Sequence, residues 1–207
     1  MVESKRMGRP VGTSLNGRKR YLTEAELGAF KKAREKSGRM WNVFFSLLWH
    51  FAMRVGETCR LRWDDIDFTA HQIKIVPEKN GVTRVYSLPE RIERDLKAWK
   101  READKHPEMR ENPYVFPGRF LKRSGHVTTG GAQRMFQAIL KKAKIETKHG
   151  IHDMRHTMAS MMLKDGSNVV QVRDWLRQRR TKSVEIYLTD IDAAEHETEM
   201  GRRDRFL

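Results

Sequence analysis

The chain has 207 residues, enough for one full-sized domain or one domain with a tail, and 38% of them are hydrophobic. Its 42 Lys and Arg against 27 Asp and Glu give a net charge of +15, which makes nucleic acid the first partner to consider and acidic lipid the second. A single cysteine excludes an internal disulfide, and the N-terminus lacks the apolar run of a secretory signal. The longest apolar stretch, residues 41–53, is too short and too polar to span a bilayer, so we expect a soluble, cytoplasmic protein.

Residues 1–20 carry six Lys and Arg among small and polar residues, which predicts a flexible basic arm. The first ordered element is predicted after it, because Thr23 followed by Glu26 has the spacing of a capping box. This helix should run to about residue 36. A second and more buried helix is predicted at about 40–54, where apolar residues cover a broad face.

A change from helical to alternating spacing follows a turn cluster at residues 64–67. Residues 72–76 and 82–86 alternate in the manner of strands, and Asn80-Gly81 between them is a strong hairpin signal. Helical periodicity then predicts a helix opened by Pro89 and others at about 130–144, 152–164, 168–178 and 182–189. The predicted fold is therefore mainly α with one small antiparallel β-sheet (α+β).

Motifs of several common enzyme classes are missing from the sequence. It contains no Gly-rich phosphate loop ending in Gly-Lys-Ser/Thr and no Gly-x-Ser-x-Gly elbow. Residues 152–156, His-Asp-Met-Arg-His, do not match the His-Glu-x-x-His pattern of zinc enzymes. We therefore predict no metal site.

Two segments stand out instead: residues 52–67, AMRVGETCRLRWDDID, and residues 150–160, GIHDMRHTMAS. They resemble box I and box II of the tyrosine recombinases, the family of phage integrases, Xer proteins and Cre. Spacing adds to the resemblance, because Gln178 follows Arg155 by 23 residues and Tyr187 follows Gln178 by nine. The resemblance implies a tyrosine-recombinase catalytic domain at 21–190.

The resemblance also implies a role for each matched residue. Tyr187 is the nucleophile that forms a 3′-phosphotyrosyl link with DNA, and Arg54 and Arg155 hold the phosphate oxygens. His152 accepts or relays the tyrosine proton, and Lys79 protonates the departing 5′ oxygen from the tip of its hairpin. Residues 191–207 dock on a neighbouring protomer.

Elementary chemistry agrees with these roles. Only about one phenol in a thousand is ionised at pH 7, a deficit of about 4 kcal/mol that nearby positive charge must offset. Guanidinium groups are permanent, multidentate donors suited to a phosphodiester. His152 lies one helical turn before Arg155 and titrates in the right range. Such a reaction requires neither a metal nor a nucleotide cofactor.

Each candidate has a structural alternative. Arg54 could complement a helix dipole, Lys79 could be an ordinary hairpin lysine, and Tyr187 could be a core aromatic. Glu57 is predicted to be a buried partner that orients its neighbours. A further set of basic residues could grip DNA phosphates or form a solvated face: Arg60, Arg62, Arg173, Arg177, Arg179, Arg180 and Lys182.

The sequence departs from the family in two places. Leu176-Arg177-Gln178 stands where members usually have Leu-Gly-His. Gln178 can donate a hydrogen bond to a phosphate but cannot titrate, and Arg179 or Arg180 could fill the role instead. In addition, only about twenty residues precede Tyr21, where most members carry a separate helical domain that helps to clamp DNA.

Three hypotheses follow from the sequence. The leading one is a site-specific recombinase that cuts and religates double-stranded DNA as a synapsed homotetramer. The second is a non-catalytic DNA-binding regulator in which Gln178 marks a decayed site, and the third is a helical interaction module with no preference for DNA. The DNA target, and the choice between integration, excision and inversion, stay open.

Overall fold

The structure is a computed structural model that describes residues 21–78, 81–118, 125–181 and 184. The helices in these ranges are α1 (Glu24–Glu35), α2 (Arg39–His50), α3 (Val55–Cys59), α4 (Glu90–Ala103), α5 (Pro107–Arg110), α6 (Thr129–Lys142), α7 (Asp153–Lys164) and α8 (Val169–Trp175). The strands are β1 (Ile66–Asp67), β2 (Gln72–Ile75) and β3 (Arg84–Ser87), which form one antiparallel sheet in the order β1-β2-β3. The predicted fold class, mainly α with a small antiparallel sheet, is confirmed.

Helix α1 begins where the sequence pattern predicts. The Thr23 hydroxyl accepts a hydrogen bond from the Glu26 backbone N–H (3.2 Å), and the Glu26 carboxylate accepts one from the Thr23 N–H (2.9 Å). This reciprocal capping box satisfies backbone donors that a helix start leaves unpaired. The preceding N–H, of Leu22, donates to the Thr157 hydroxyl (2.9 Å), so the start of α1 is fastened to α7.

The sheet places one face against the core. In its register Ile73 pairs with Tyr86 and Lys74 pairs with Val85, so that Ile73 and Ile75 point inward and Val85 is 57% exposed. Strand β1 corrects the prediction of a turn over residues 64–67. The turn is confined to a short 3-10 helix, Trp63–Asp65, after which Ile66 is buried and pairs with Ile73.

Helix α2 is shorter than predicted, and its end shapes the site described below. It ends at His50 instead of residue 54, because Ala52 has a φ of 44° and turns the chain out of the helix. A separate helix, α3, then starts with Arg54 as its N-cap residue. The described part of the chain contains no helix that is long and apolar enough to cross a membrane.

The core is built around aromatic side chains from four parts of the chain. Phe30 of α1 and Phe45 of α2 meet edge to face with their ring centroids 5.6 Å apart. Phe44 contacts Phe116 at 5.0 Å, and Phe136 of α6 contacts Phe30 at 5.3 Å. Cys59 is also buried, and burial raises the pKa of its thiol to about 12, so it stays protonated.

A second, smaller cluster holds α8 against α7. Its members are all buried, and they are Ala52, Ala159, Val172, Leu176 and Val184. The cluster brings the chain that leaves α8 next to the turn between α2 and α3. Box I and the segment that follows α8, far apart in sequence, are thereby neighbours.

The aromatic core generates a prediction about stability. We expect Phe44→Ala to lower the free energy of unfolding by about 3–5 kcal/mol, because the ring is fully buried and its loss leaves a cavity. The measurement is urea denaturation followed by far-UV circular dichroism. Val85→Ala on the outer face of the sheet is the control, with an expected change below about 0.5 kcal/mol; equal effects at the two positions would contradict this packing.

Candidate active site

Box I folds into a tight turn around the Glu57 carboxylate. The Arg54 backbone N–H donates to Glu57 Oε2 and the Arg54 side-chain Nη1 donates to Glu57 Oε1, both at 2.8 Å. The Glu57 side chain is fully buried, whereas 26% of the Arg54 side chain is exposed. The buried Glu57 carboxylate therefore holds the Arg54 guanidinium at the protein surface.

The position of Arg54 also bears on its structural alternative. Arg54 is the N-cap residue of α3, and the N-terminal end of a helix favours anions over cations. Complementing the helix dipole therefore does not account for an arginine here. The nearby Glu57 carboxylate offsets the charge instead.

Box II supplies a second arginine, which joins three parts of the site. Arg155 lies in α7 and is buried. Its Nη1 donates to the carbonyl oxygen of Ala52, and its Nη2 donates to the carbonyl oxygen of Leu176 at 2.5 Å. Arg155 thus contacts the chain two residues before Arg54. A contact between Arg155 and a DNA phosphate stays a prediction.

His152 is the N-cap residue of α7, one turn before Arg155, and part of its ring faces solvent. The surrounding protein lowers the pKa of His152 by excluding water, and the positive charges of Arg155 and Arg54 lower it further. The ring is therefore neutral at physiological pH. A neutral imidazole is the form that can accept a proton.

Arg177 corrects one prediction. Its side chain is buried, so the interpretation of Arg177 as a surface contact to DNA is wrong. Its guanidinium donates to the carbonyl oxygens of Phe51 (2.9 Å) and Ala52 (3.1 Å) and to Glu57 Oε2 (3.1 Å). Hydrogen bonding to a carboxylate and to backbone carbonyls satisfies a charge that burial alone would penalise strongly.

Glu57 is the anion that these cations share. Burial raises the pKa of its carboxyl, but the charge of Arg177 and the hydrogen bonds from Arg54 outweigh burial and hold the pKa below its ordinary value. The charge of Arg155 makes the smallest contribution to the same lowering. Glu57 is therefore ionised in the fold. It is buried as predicted, and its role in orienting its neighbours stays a prediction.

Gln178 follows this cluster directly. Its backbone N–H donates to the carbonyl oxygen of Arg173 (3.0 Å), and its side chain is half-buried. Its amide oxygen accepts no hydrogen bond from the described residues. Gln178 lies two residues after Leu176, whose carbonyl accepts from Arg155. This keeps Gln178 close to the arginine of box II.

The loop that connects β2 to β3 packs on α3 through Glu78. Arg60 Nη2 lies 2.5 Å from Glu78 Oε1, and the Glu78 carboxylate packs so closely on Gly56 that a side chain there would collide with it. The residue that follows Glu78 is Lys79, which lies outside the described residues. The described residues on either side of Lys79 therefore lie beside box I and Arg177.

The other predicted DNA contacts are at least partly exposed where they are described. Arg62 stacks over the Tyr114 ring (5.4 Å) and Arg173 pairs with Asp174 (2.8 Å), while Arg179 and Arg180 are exposed. Lys182, Tyr187 and residues 1–20 and 191–207 lie outside the described residues. Within the described ranges no group of three His, Cys, Asp or Glu could hold a metal ion.

Comparison with known proteins agrees with this geometry. The Phage integrase family profile matches residues 20–193. A tyrosine recombinase from Thermosipho africanus (strain TCF52B) is 28% identical over 176 residues, which cover 83% of this chain and 58% of that protein. Tyrosine recombinase XerA from Pyrococcus furiosus is 24% identical over 167 residues, covering 80% and 56%. The chain thus spans less than two thirds of the length of these relatives.

Solved structures show the same fold. A crystal structure of XerA recombinase matches with a TM-score of 0.72 at 26% identity, over 88% of this chain and 65% of that one. A lambda integrase dimer bound to a COC′ core site matches with a TM-score of 0.62 at 19% identity, over 81% and 58%. Both matches confirm the catalytic-domain fold that the two boxes predict.

The buried Glu57 pair generates a prediction about stability and pH. We expect Glu57→Gln to lower the free energy of unfolding by about 3 kcal/mol at pH 7, because the Arg177 charge loses its buried counterion. Since folding lowers the pKa of Glu57, the stability it adds is present above the unfolded value of about 4.3 and is lost as the pH falls through the folded value. The gap between wild type and variant should therefore shrink in acid.

Urea denaturation of both proteins between neutral and acidic pH measures this gap. Glu102→Gln is the matched control, because Glu102 pairs with Arg39 at an exposed site worth less than about 1 kcal/mol. A gap for Glu57→Gln that stays constant with pH would contradict an ionised carboxylate in the fold.

Proposed function

Because the chain belongs to the phage integrase family, we propose that it is the catalytic domain of a site-specific tyrosine recombinase that cleaves and religates double-stranded DNA through Tyr187. One observation supports this proposal: Arg155 of box II donates to the carbonyl oxygen of Ala52 in box I, and His152 lies where the charges of both Arg155 and Arg54 lower its pKa. The two boxes lie about a hundred residues apart, so their meeting is a property of the fold. The relatives named above carry the name of recombinases, and they are longer than this chain.

In this reaction the cations act on the phosphate. Arg54, whose guanidinium reaches the surface, binds a non-bridging oxygen, and Arg155 supports the same phosphate from the protein side. Both stabilise the charge that builds up on the pentacoordinate phosphorus in the transition state. Gln178 donates a further hydrogen bond from its amide nitrogen.

The remaining groups move the protons. The Tyr187 oxygen forms a bond to phosphorus while the bond to the 5′ oxygen breaks, and the phenolic proton passes to His152. Lys79 gives a proton to the departing 5′ oxygen. Attack by a 5′ hydroxyl on the phosphotyrosine reverses these steps and rejoins the strand, with no metal or nucleotide cofactor.

The rest of the chain serves DNA capture and assembly in this proposal. Residues 1–20 are a basic arm, residues 21–190 are the catalytic domain, and residues 191–207 dock on a neighbouring protomer of a synapsed tetramer. Lambda integrase is described as a tetramer bound to a Holliday junction, which supports such an assembly. Contacts to DNA phosphates come from Arg60, Arg62, Arg173, Arg179, Arg180 and Lys182, and we place the protein in the cytoplasm.

The nucleophile is tested with a trapped covalent adduct. The full chain first selects its binding site from a randomised duplex library, and the selected site is then nicked beside candidate scissile phosphates so that the released fragment diffuses away. We expect a protein–DNA adduct in denaturing gels with wild type and none with Tyr187→Phe. Tyr21→Phe is the matched control and should form the adduct normally.

An adduct that persists in Tyr187→Phe would reject Tyr187 as the nucleophile. DNA binding without any adduct from wild type would instead favour the regulator with a decayed site. Equal binding to DNA and to unrelated polyanions would favour the interaction module.

The pH dependence of cleavage tests the role of His152. The fold lowers the pKa of His152 below the ordinary histidine pKa of about 6.5. The single-turnover rate should therefore stay constant as the pH falls past about 6.5, and it should decrease only at more acidic pH. We expect His152→Asn to be about 100-fold slower or worse and to lose this acid limb. The exposed His106→Asn is the control, and an unchanged acid limb in His152→Asn would contradict the assignment.

A further inference from the structure

Arg177 occupies an unusual backbone position for an arginine. It follows α8 with a φ of 56°, in the left-handed region that favours glycine. The tyrosine-recombinase pattern also leads us to expect glycine here, between Leu176 and Gln178. An arginine at this position costs more backbone strain than a glycine would, and the contacts of its side chain offset that cost.

The side chain is fully buried and crosses to box I. Nη1 donates to the Phe51 carbonyl and to the Tyr86 hydroxyl (3.2 Å), and Nη2 donates to the Ala52 carbonyl and to Glu57 Oε2. Nη1 also donates to the Trp175 carbonyl (3.0 Å), and the five acceptors around one planar guanidinium hold it in a single orientation. Glu57 on the other side of this contact is equally buried.

These contacts make Glu57 a carboxylate shared by two arginines. Oε1 accepts from Arg54 Nη1, while Oε2 accepts from Arg177 Nη2 and from the Arg54 backbone N–H. We infer that Arg177 is a positioning residue, which holds the Glu57 carboxylate so that only one of its oxygens engages the Arg54 guanidinium and the rest of that guanidinium can face a phosphate. The inference rests on the proposed function, because it concerns how the same site presents Arg54.

The physical reason lies in how arginine pairs with carboxylates. Arginine and a free carboxylate prefer two parallel hydrogen bonds, one from each nitrogen to each oxygen. Without Arg177, only the Arg54 backbone N–H still holds Oε2, and Glu57 can then turn toward the Arg54 side chain and take both of its terminal nitrogens. The donors that the phosphate needs would then be occupied inside the protein.

Arg177 also reaches the other parts of the site. Its Nη2 shares the Ala52 carbonyl with Nη1 of Arg155. Its own carbonyl oxygen accepts from the Val82 N–H (3.4 Å) in the returning arm of the hairpin, and a side chain on Gly81 would approach it at 3.1 Å. One residue thus connects both boxes to the hairpin that carries Lys79.

The test compares Arg177→Met with Arg177→Lys in the full chain. Methionine keeps the length and apolar volume but removes the charge, and lysine restores the charge without the planar fork. Arg39→Met is the matched control, because Arg39 makes an exposed pair with Glu102 away from the site. Urea denaturation first establishes which variants are folded under the assay conditions.

Three readouts on folded protein separate positioning from stability. We expect Arg177→Met to bind the selected DNA site within about 3-fold of wild type, because a buried side chain makes no phosphate contact. We expect single-turnover cleavage to fall about 100-fold through misplacement of Arg54, with partial recovery in Arg177→Lys. The Arg54 Nε–Hε resonance in a 15N spectrum should shift in Arg177→Met and stay in place in Arg39→Met.

Each outcome decides the inference. A folded Arg177→Met that cleaves at the wild-type rate would overturn it, and so would an equal loss of DNA affinity and cleavage. If Arg177→Met does not fold, Arg177→Lys replaces it: a wild-type rate overturns the inference, and slower cleavage at unchanged affinity supports it. If wild type forms no adduct, the proposed function has failed, and an unmoved Arg54 resonance would reject the positioning role separately.

Discussion

A buried negative charge, the Glu57 carboxylate, organises the candidate site. Alone in the interior it would take up a proton, because burial penalises the charged form. Arg177 from one side and Arg54 from the other keep it ionised, and the pKa of Glu57 is lowered despite its burial. Arg54 is the partly exposed member of this group. The direction of its guanidinium therefore depends on the Arg177–Glu57 pair, which is buried away from solvent.

The second organising group is a backbone carbonyl. Ala52, in a left-handed conformation at the end of α2, offers its oxygen to both Arg155 and Arg177. Three guanidinium groups and one carboxylate leave a surplus of two positive charges in a small volume. A phosphodiester brings one negative charge and gains another as a nucleophile adds, so the surplus matches the transition state better than the ground state.

The sequence predicts those features that depend on short-range spacing. The Thr23–Glu26 capping box, the β2–β3 hairpin and the approximate helices all arise from residues close together in the chain. The sequence does not predict strand β1, because its two residues form a strand only through their partner, β2. Arg177 was misplaced because arginine is rarely buried, and its counterion, Glu57, lies 120 residues away in sequence. The glycine that the family pattern places at this position was the available signal.

The buried ion pair also weighs against the hypothesis of a decayed site. Pairs of this kind add little net stability, since apolar side chains of similar volume often serve a fold as well or better. A chain that needed only to hold its shape and bind DNA through surface arginines would gain nothing from burying Arg177 and Glu57 together. Their burial is explained if the direction of Arg54 matters. In the proposed reaction Gln178 then changes only one hydrogen-bond donor, since His152 and Lys79 are the groups proposed to transfer the protons.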